Sequence, residues 1–207
     1  MLKTDFITTN VRLDAAFYQR HDVLAIAQEL LGQILVTQFD GLRTSGRITE
    51  VEAYRAPDDR ACHAWNNRRT PRTEIMFQAG GRAYIYLCYG IHHLFNVVTG
   101  PEGAAQAVLV RAIEPLEGLE HMLERRRSKQ LTTTLTTGPG ALTQALGLYT
   151  RFNGQSLLAP DSPVWIEKSE APSRIASGPR IGVDYAGECA AWPWRFWLPE
   201  SQFFRKK

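Results

Sequence analysis

Residues 48–54 read ITEVEAY, and this alternation restricts the fold more than any other feature of the chain. Residues that alternate with period two belong to a strand whose neighbouring side chains point to opposite faces. Glu50, Glu52 and Tyr54 then share one face. Carboxylates are rarely buried unless they are paired or working, so two of them beside a tyrosine, roughly 6.6 Å apart along the strand, stand out as an unusual combination. Asp40-Gly41 lies just upstream and is a favoured two-residue hairpin turn. The pattern therefore predicts strands at 33–39 and 44–54 joined as a hairpin.

The stretch from Gly46 to Asn96 adds a histidine at 63, a basic run at Arg68, Arg69 and Arg72, and an aromatic ribbon of Tyr84, Tyr86 and Tyr89. An acid, a histidine, rings that can stack and arginines suited to phosphate describe a pocket for a flat, polar, anion-linked ligand. A nucleotide fits that description. Each residue alone has a plainer reading: Glu52 as a surface carboxylate paired with arginine, the tyrosines as core, His63 as a satisfied structural residue, Asn96 as a strand-end amide bonded to backbone. Tyr89 is the exception. It stands beside Gly90 at the tip of an apolar hairpin, where folding gives no reason for a large ring.

Along the rest of the chain, Asp22 is an N-cap signal for a helix over 22–31 with Gly32 past its end, and the Phe17-Tyr18 pair is expected to pack on the body. A short helix is expected near Pro57. Thr70-Pro71 opens a second one running to Phe77. Strands are predicted at 82–88, 91–98 and 106–113, the last with Arg111 embedded among apolar residues, where a charge needs a partner. Glu114-Pro115 is read as the start of a helix ending near Lys129. Gly138-Pro139 begins a helix over 139–148 whose first amides can face an anion. Short strands are expected at 164–167, 180–183 and 195–198, followed by a frayed basic tail, FFRKK. Hairpins mixed with helices give a single α+β domain over 1–207, built on a curved antiparallel sheet with surrounding helices and a protruding hairpin, with 1–21 and 199–207 peripheral.

Net charge is +3 and the pI is near 8.8, which permits a polyanionic partner without demanding one. Cys62, Cys88 and Cys189 are widely spaced and form no CxxC pair, so neither a disulfide framework nor a zinc site is expected. The N-terminus lacks the apolar run of a signal peptide, and no apolar stretch is long enough to span a membrane. These features lead to the expectation of a cytoplasmic, monomeric protein without metal or other cofactor.

The blocks GRITEVEAYRAPDDRACHAW, RTPRTEIMF, YIYLCYGIHHLFNVV, AVLVRAIEPLEG, TGPGALTQALG and SGPRIGVDYAGE, in that order, resemble the alkyladenine DNA glycosylases, also called methylpurine or 3-methyladenine DNA glycosylases. The resemblance runs from about Asp22 to Leu198 and implies an enzyme that flips damaged purines out of double-stranded DNA and hydrolyses their N-glycosidic bond. It implies the 3-methyladenine, 7-methylguanine, hypoxanthine and etheno-adenine class as substrates. It places the general base at Glu52, and Arg111 on the water and 5′-phosphate side. Tyr54 stacks on one face of the base, with His63 and Tyr86 on the other and Asn96 obstructing guanine's amino group. Tyr89 is the wedge, with Ile91 beside it, and Thr70 and Arg72 contact DNA. Many relatives have lysine after GPG; here that position is Ala141, which takes one expected phosphate contact away. All five lysines lie outside the Gly46–Asn96 stretch, so an amine nucleophile for lyase chemistry has no candidate there. A noncatalytic damaged-DNA binding module of the same fold is the competing expectation.

Overall fold

The computed structural model describes residues 11–206. The N-terminal stretch read above for signal-peptide character, residues 1–10, and the last tail residue, Lys207, lie outside them. After a four-residue helical turn, Ala15–Tyr18 (α1), helix α2 covers Val23–Leu30. Asp22 caps α2 by accepting from the amides of Leu24 and Ala25, at 3.0 and 3.1 Å. Its oxygen thereby satisfies two amides that have no partner inside the helix. Val23, Ile26, Ala27 and Leu30 form the buried stripe.

Eight strands follow: Ile34–Phe39 (β1), Leu42–Arg55 (β2), Arg82–Cys88 (β3), His92–Val98 (β4), Gln106–Glu117 (β5), Val164–Glu167 (β6), Ala176–Gly178 (β7) and Arg195–Trp197 (β8). They form one antiparallel sheet in the order β3-β4-β5-β2-β1-β6, with β8 joined to β2 and β7 to β8. Asp40 and Gly41, both at positive φ, make the β1–β2 turn.

Period-two alternation divides the sheet into two environments. Val51, Ala53, Ile85, Phe95, Val97, Val108 and Val110 belong to the main core with the stripe of α2, Met122, and Leu142 and Leu146 of a later helix, Pro139–Leu146. The intervening residues Tyr54, Tyr84, Tyr86 and Ala107 belong instead to a smaller cluster with Cys62, Met76 and Phe77. That second face carries the site.

Four sequence expectations are corrected. The helix expected from Glu114 does not begin there, because β5 continues to Glu117 through pairing with Ser45, Gly46 and Arg47 of β2. Pro115 sits beside a register shift, where a missing N–H is tolerated. The helix that follows is Leu119–Arg125 (α3), and the helix beginning at Pro139 is α4. No helix forms at Pro57; turns fill that segment before a 3-10 turn at Trp65–Asn67. Residues 180–183 are irregular, because the Arg180 side chain and the Ile181 amide are drawn to side-chain partners; the short strand lies just before them, at β7. The tail is held as far as Arg205: Ser201 is buried, and the Phe203 carbonyl and Arg205 amide are both bonded to β2 side chains.

Gly118 ends β5 at φ +67°, and a Cβ there would stand 2.4 Å from the Arg43 carbonyl oxygen. Left-handed backbone alone costs a residue with a side chain about 1–2 kcal/mol, and the contact adds to it. Gly118→Ala is expected to lower the thermal midpoint by about 5 °C or more. An unchanged midpoint would show that the β5–α3 junction relaxes freely.

Candidate active site

β2 and β5 pair along most of their length, yet their register slips twice beside the carboxylates. Ile48 faces Ile113 while Glu50 faces Ala112, so Thr49 is an extra residue on β2. Val51 then faces Val110, which leaves Arg111 as an extra residue on β5. Bulges of this kind re-aim a side chain. Here the guanidinium of Arg111 reaches both acids, with Nε donating to Glu50 Oε1 at 3.1 Å and Nη1 to Glu52 Oε2 at 3.0 Å.

Glu52 is fully buried and bonded at both oxygens. Oε2 also accepts from the Tyr54 hydroxyl at 2.8 Å, and Oε1 accepts from the backbone amide of Ile181 at 2.7 Å. All three groups donate, which suits a carboxylate that only accepts. Burial opposes the charge on Arg111, but Glu52 and then Glu50 outweigh it and hold the guanidinium above its ordinary range. Burial, and next the charge of Glu52, push the Tyr54 phenol well above its usual range, so it keeps the proton it donates. Arg180 secures the other side of Tyr54. Its guanidinium carbon lies 4.7 Å from the ring centroid, while its two terminal nitrogens grip the buried Asp59 carboxylate as a bidentate pair.

Tyr54, Arg111 and Ile181 line a cleft of about 410 Å³, so Glu52 stands one residue behind its wall. His63, Tyr86 and Asn96 line the same cleft, as does Arg72. The His63 and Tyr86 rings meet edge to face at 4.7 Å. His63 Nε2 lies 3.3 Å from Arg72 Nη2, which can only donate, so Nε2 accepts. Nδ1 therefore carries the hydrogen and donates to the Tyr84 hydroxyl at 2.8 Å. Burial, helped by Arg72, pulls the imidazole pKa down to about 4. The ring is neutral at physiological pH.

Asn96 lines the cleft and takes the backbone-bonded arrangement of its plainer reading. Its side-chain nitrogen donates to the carbonyls of Tyr84 and Leu94 at 3.1 and 3.4 Å, which settles the amide orientation and turns Oδ1 the other way. Tyr89 is at the mouth of the cleft, 91% exposed, at φ +50° in the β3–β4 turn. Ile91 beside it is 70% exposed. Thr70 does not line the cleft; it exchanges hydrogen bonds with Thr73 ahead of a 3-10 turn, Glu74–Phe77. Ala141 lies in the first turn of α4.

Sequence reasoning missed the roles of Ile181, Arg180 and Asp59. The block SGPRIGVDYAGE stood out, but a strand reading hid the fact that its amide reaches Glu52 across 129 positions. Among the described residues, no group of three or more His, Cys, Asp or Glu is placed to hold a metal ion, and no helix is long and apolar enough to cross a membrane.

The sequence pattern of the methylpurine-DNA glycosylase family matches residues 16–202. A Chlamydia pneumoniae protein named "Putative 3-methyladenine DNA glycosylase" is 49% identical over 191 residues, spanning 91% of this chain and 96% of its own. A Bacillus cereus strain G9842 protein of the same name is 45% identical over 201 residues, spanning 93% and 98%. The chain belongs to the methylpurine-DNA glycosylase family and is a hydrolase of that kind.

Proposed function

We propose that this glycosylase extrudes alkylated purines from double-stranded DNA into the aromatic cleft and hydrolyses their N-glycosidic bond, with hypoxanthine and etheno-adenine in the same substrate class. The observation that supports this best is the buried, triply bonded Glu52 one residue behind a cleft lined with rings. A cavity of that size falls within the range of small-molecule sites. The reaction needs little from the protein besides a base and a negative charge. As the C1′–N bond breaks, its electron pair leaves with the purine and C1′ becomes cationic; a methylated, cationic base departs neutral, and a neutral lesion departs as an anion that takes up a proton. Glu52 offsets the charge at C1′ and takes from the attacking water a proton that the departing anion can then accept. That water has to pass the thin wall of Arg111 and Ile181.

The cleft's other residues take roles that follow from their chemistry. Tyr54 on one side and Tyr86 with His63 on the other hold the extruded base by stacking. An alkylated purine such as 7-methylguanine is electron-poor and positively charged, so it stacks well, and a neutral His63 adds no repulsion. Asn96, pinned by two carbonyls, cannot step aside for guanine's amino group. The hairpin turn asks for positive φ at position 89, which a residue with a side chain adopts at a cost, and the Tyr89 ring is almost wholly exposed, so packing gives no reason for it. Tyr89, with Ile91, is the wedge that fills the place of the extruded nucleotide. Thr70 and Arg72 face the DNA backbone, and the first amides of α4 do so without the lysine that Ala141 replaces.

Glu52→Gln is expected to slow single-turnover excision by about 10²–10⁴-fold, the range for a lost general base, while affinity for damaged DNA stays within a few-fold. Excision near the parental rate would remove Glu52 from the role. Full activity loss in the parent protein across alkylated, deaminated and etheno lesions would instead mark a binding module.

His63 should titrate near pH 4 and remain the Nδ1–H tautomer down to about pH 5. Because its folded pKa lies below the ordinary 6.5, its contribution to stability is present above that value and lost as pH falls through 4. Nitrogen-detected NMR of the imidazole decides this; a midpoint near 6.5 would contradict the neutral wall.

Tyr89→Ser is expected to weaken binding to a lesion in duplex DNA by about tenfold, since stacking is worth roughly 1–3 kcal/mol. The loss should shrink in single-stranded DNA, where extrusion is already cheap, whereas Tyr54→Ala should cost affinity on both forms. An equal loss for Tyr89→Ser on duplex and single strand would make it a packing residue of the hairpin.

A further inference from the structure

The C-terminal segment folds back over the bulge of β2. The amide of Leu198 donates to the Thr49 carbonyl at 2.9 Å. The Thr49 hydroxyl donates in turn to the Phe203 carbonyl. The rings of Trp197 and Phe204 stack at 6.0 Å and 19°. These anchors bring the backbone amide of Arg205 to Glu50 Oε2, at 2.9 Å, while the Arg205 carbonyl accepts from Arg195 Nη2 at 3.3 Å.

Glu50 is fully buried, and its two oxygens divide their work. Oε1 takes Arg111 Nε, with Arg195 Nε 3.5 Å away. Oε2 takes the tail amide. Arg111 in turn is a rigid planar fork bonded to Glu50 through one nitrogen and to Glu52 through another. A rotation of Glu50 therefore moves the guanidinium that Glu52 depends on. Without the Arg205 amide, Oε2 would be a buried acceptor lacking this donor, and a buried charged group left short of a partner draws on whatever donor can move. The guanidiniums beside Glu50 are Arg111, bonded to Oε1, and Arg195, whose Nε is 3.5 Å from the same oxygen, so a turn of Glu50 toward either one alters its bond to Arg111.

We propose that the C-terminal segment is a positioning element of the active site: the Arg205 amide sets Glu50, Glu50 sets Arg111, and Arg111 orients Glu52. This inference rests on the assignment of Glu52 as the base. It also gives a function to Glu50, the carboxylate for which a one-base mechanism has no use.

Arg205→Pro deletes the amide hydrogen and Arg205→Ala retains it. In single-turnover excision of one hypoxanthine or methylated purine from a duplex, Arg205→Pro is expected to be slower by about tenfold, the scale of one charged hydrogen bond. Its Kd for lesion DNA should stay within about threefold. Arg205→Ala should stay near the parental rate. In a Glu50→Gln background the proline should add little, because the two changes cut the same chain. Thr49→Val, which removes the hydroxyl anchor, should slow excision in the same way, with Thr49→Ser restoring it; this pair decides the matter if the proline variant does not fold. Equal rates for Arg205→Pro and Arg205→Ala, or rate and binding lost together, would overturn the role of the tail. Glu52→Gln in the same assay separates the two ideas. If it excises normally, the assignment of the base fails; if it is inactive while Arg205→Pro matches Arg205→Ala, only the tail's role fails.

Discussion

One guanidinium between two buried carboxylates organises this protein. Arg111, Glu50 and Glu52 lie within the sheet with almost no contact with solvent. Taking such charges out of water costs several kcal/mol for each ion, and attraction offsets the cost only when geometry is good and the remaining donors and acceptors are satisfied. The surrounding chain meets that condition from separate directions. Tyr54 comes from the same strand, Ile181 from a distant loop, Arg195 from β8 and Arg205 from the tail. A loop, a strand end and a terminus that would otherwise be peripheral are therefore bound into the site.

The geometry depends on a pair of irregularities. A regular β2–β5 ladder would keep every residue in step, and the side chain of Arg111 would follow the pleat. The extra residue on each strand breaks the step twice within a few positions and restores it beyond. The same bulge exposes the backbone of Thr49 to the returning tail. Buried polar groups are hydrogen-bonded as a rule, and here the requirement to satisfy them sets which loops come close.

The second face of the sheet follows a different logic. It carries three tyrosines where the first face is mostly aliphatic, and its side chains are held by polar bonds at their edges: Tyr54 to Glu52, Tyr84 to His63, and Asn96 to the backbone. Such anchoring leaves ring faces free to meet a flat ligand without letting the rings turn. Arg72 and Arg180 lie against Tyr86 and Tyr54 at 4.7 Å each, so each ring has a cation beside it. Cations next to the cleft make neutrality at His63 the more useful if a charged base is to enter.

Much of this was legible in the residues alone. The alternation in ITEVEAY dictated a strand with Glu50, Glu52 and Tyr54 on one face, because side-chain direction in a strand is local geometry. Asp22, Asp40-Gly41 and the Pro139 helix start were readable for the same reason: caps and turns are satisfied within a few residues. Arg111 announced itself as a charge in an apolar run, but the run does not say which group receives it. Tertiary structure decided what depends on distant partners. A ladder with β2 kept Glu114 and Pro115 in a strand against a good helix signal. Side-chain bonds to Asp59 and Glu52 turned residues 180–183 away from a strand. Two bulges gave Arg111 both acids at once, and the tail that composition marked as frayed reached a buried carboxylate. A local pattern carries no information about which unsatisfied group elsewhere in the chain will meet it, and burial is what makes those meetings obligatory.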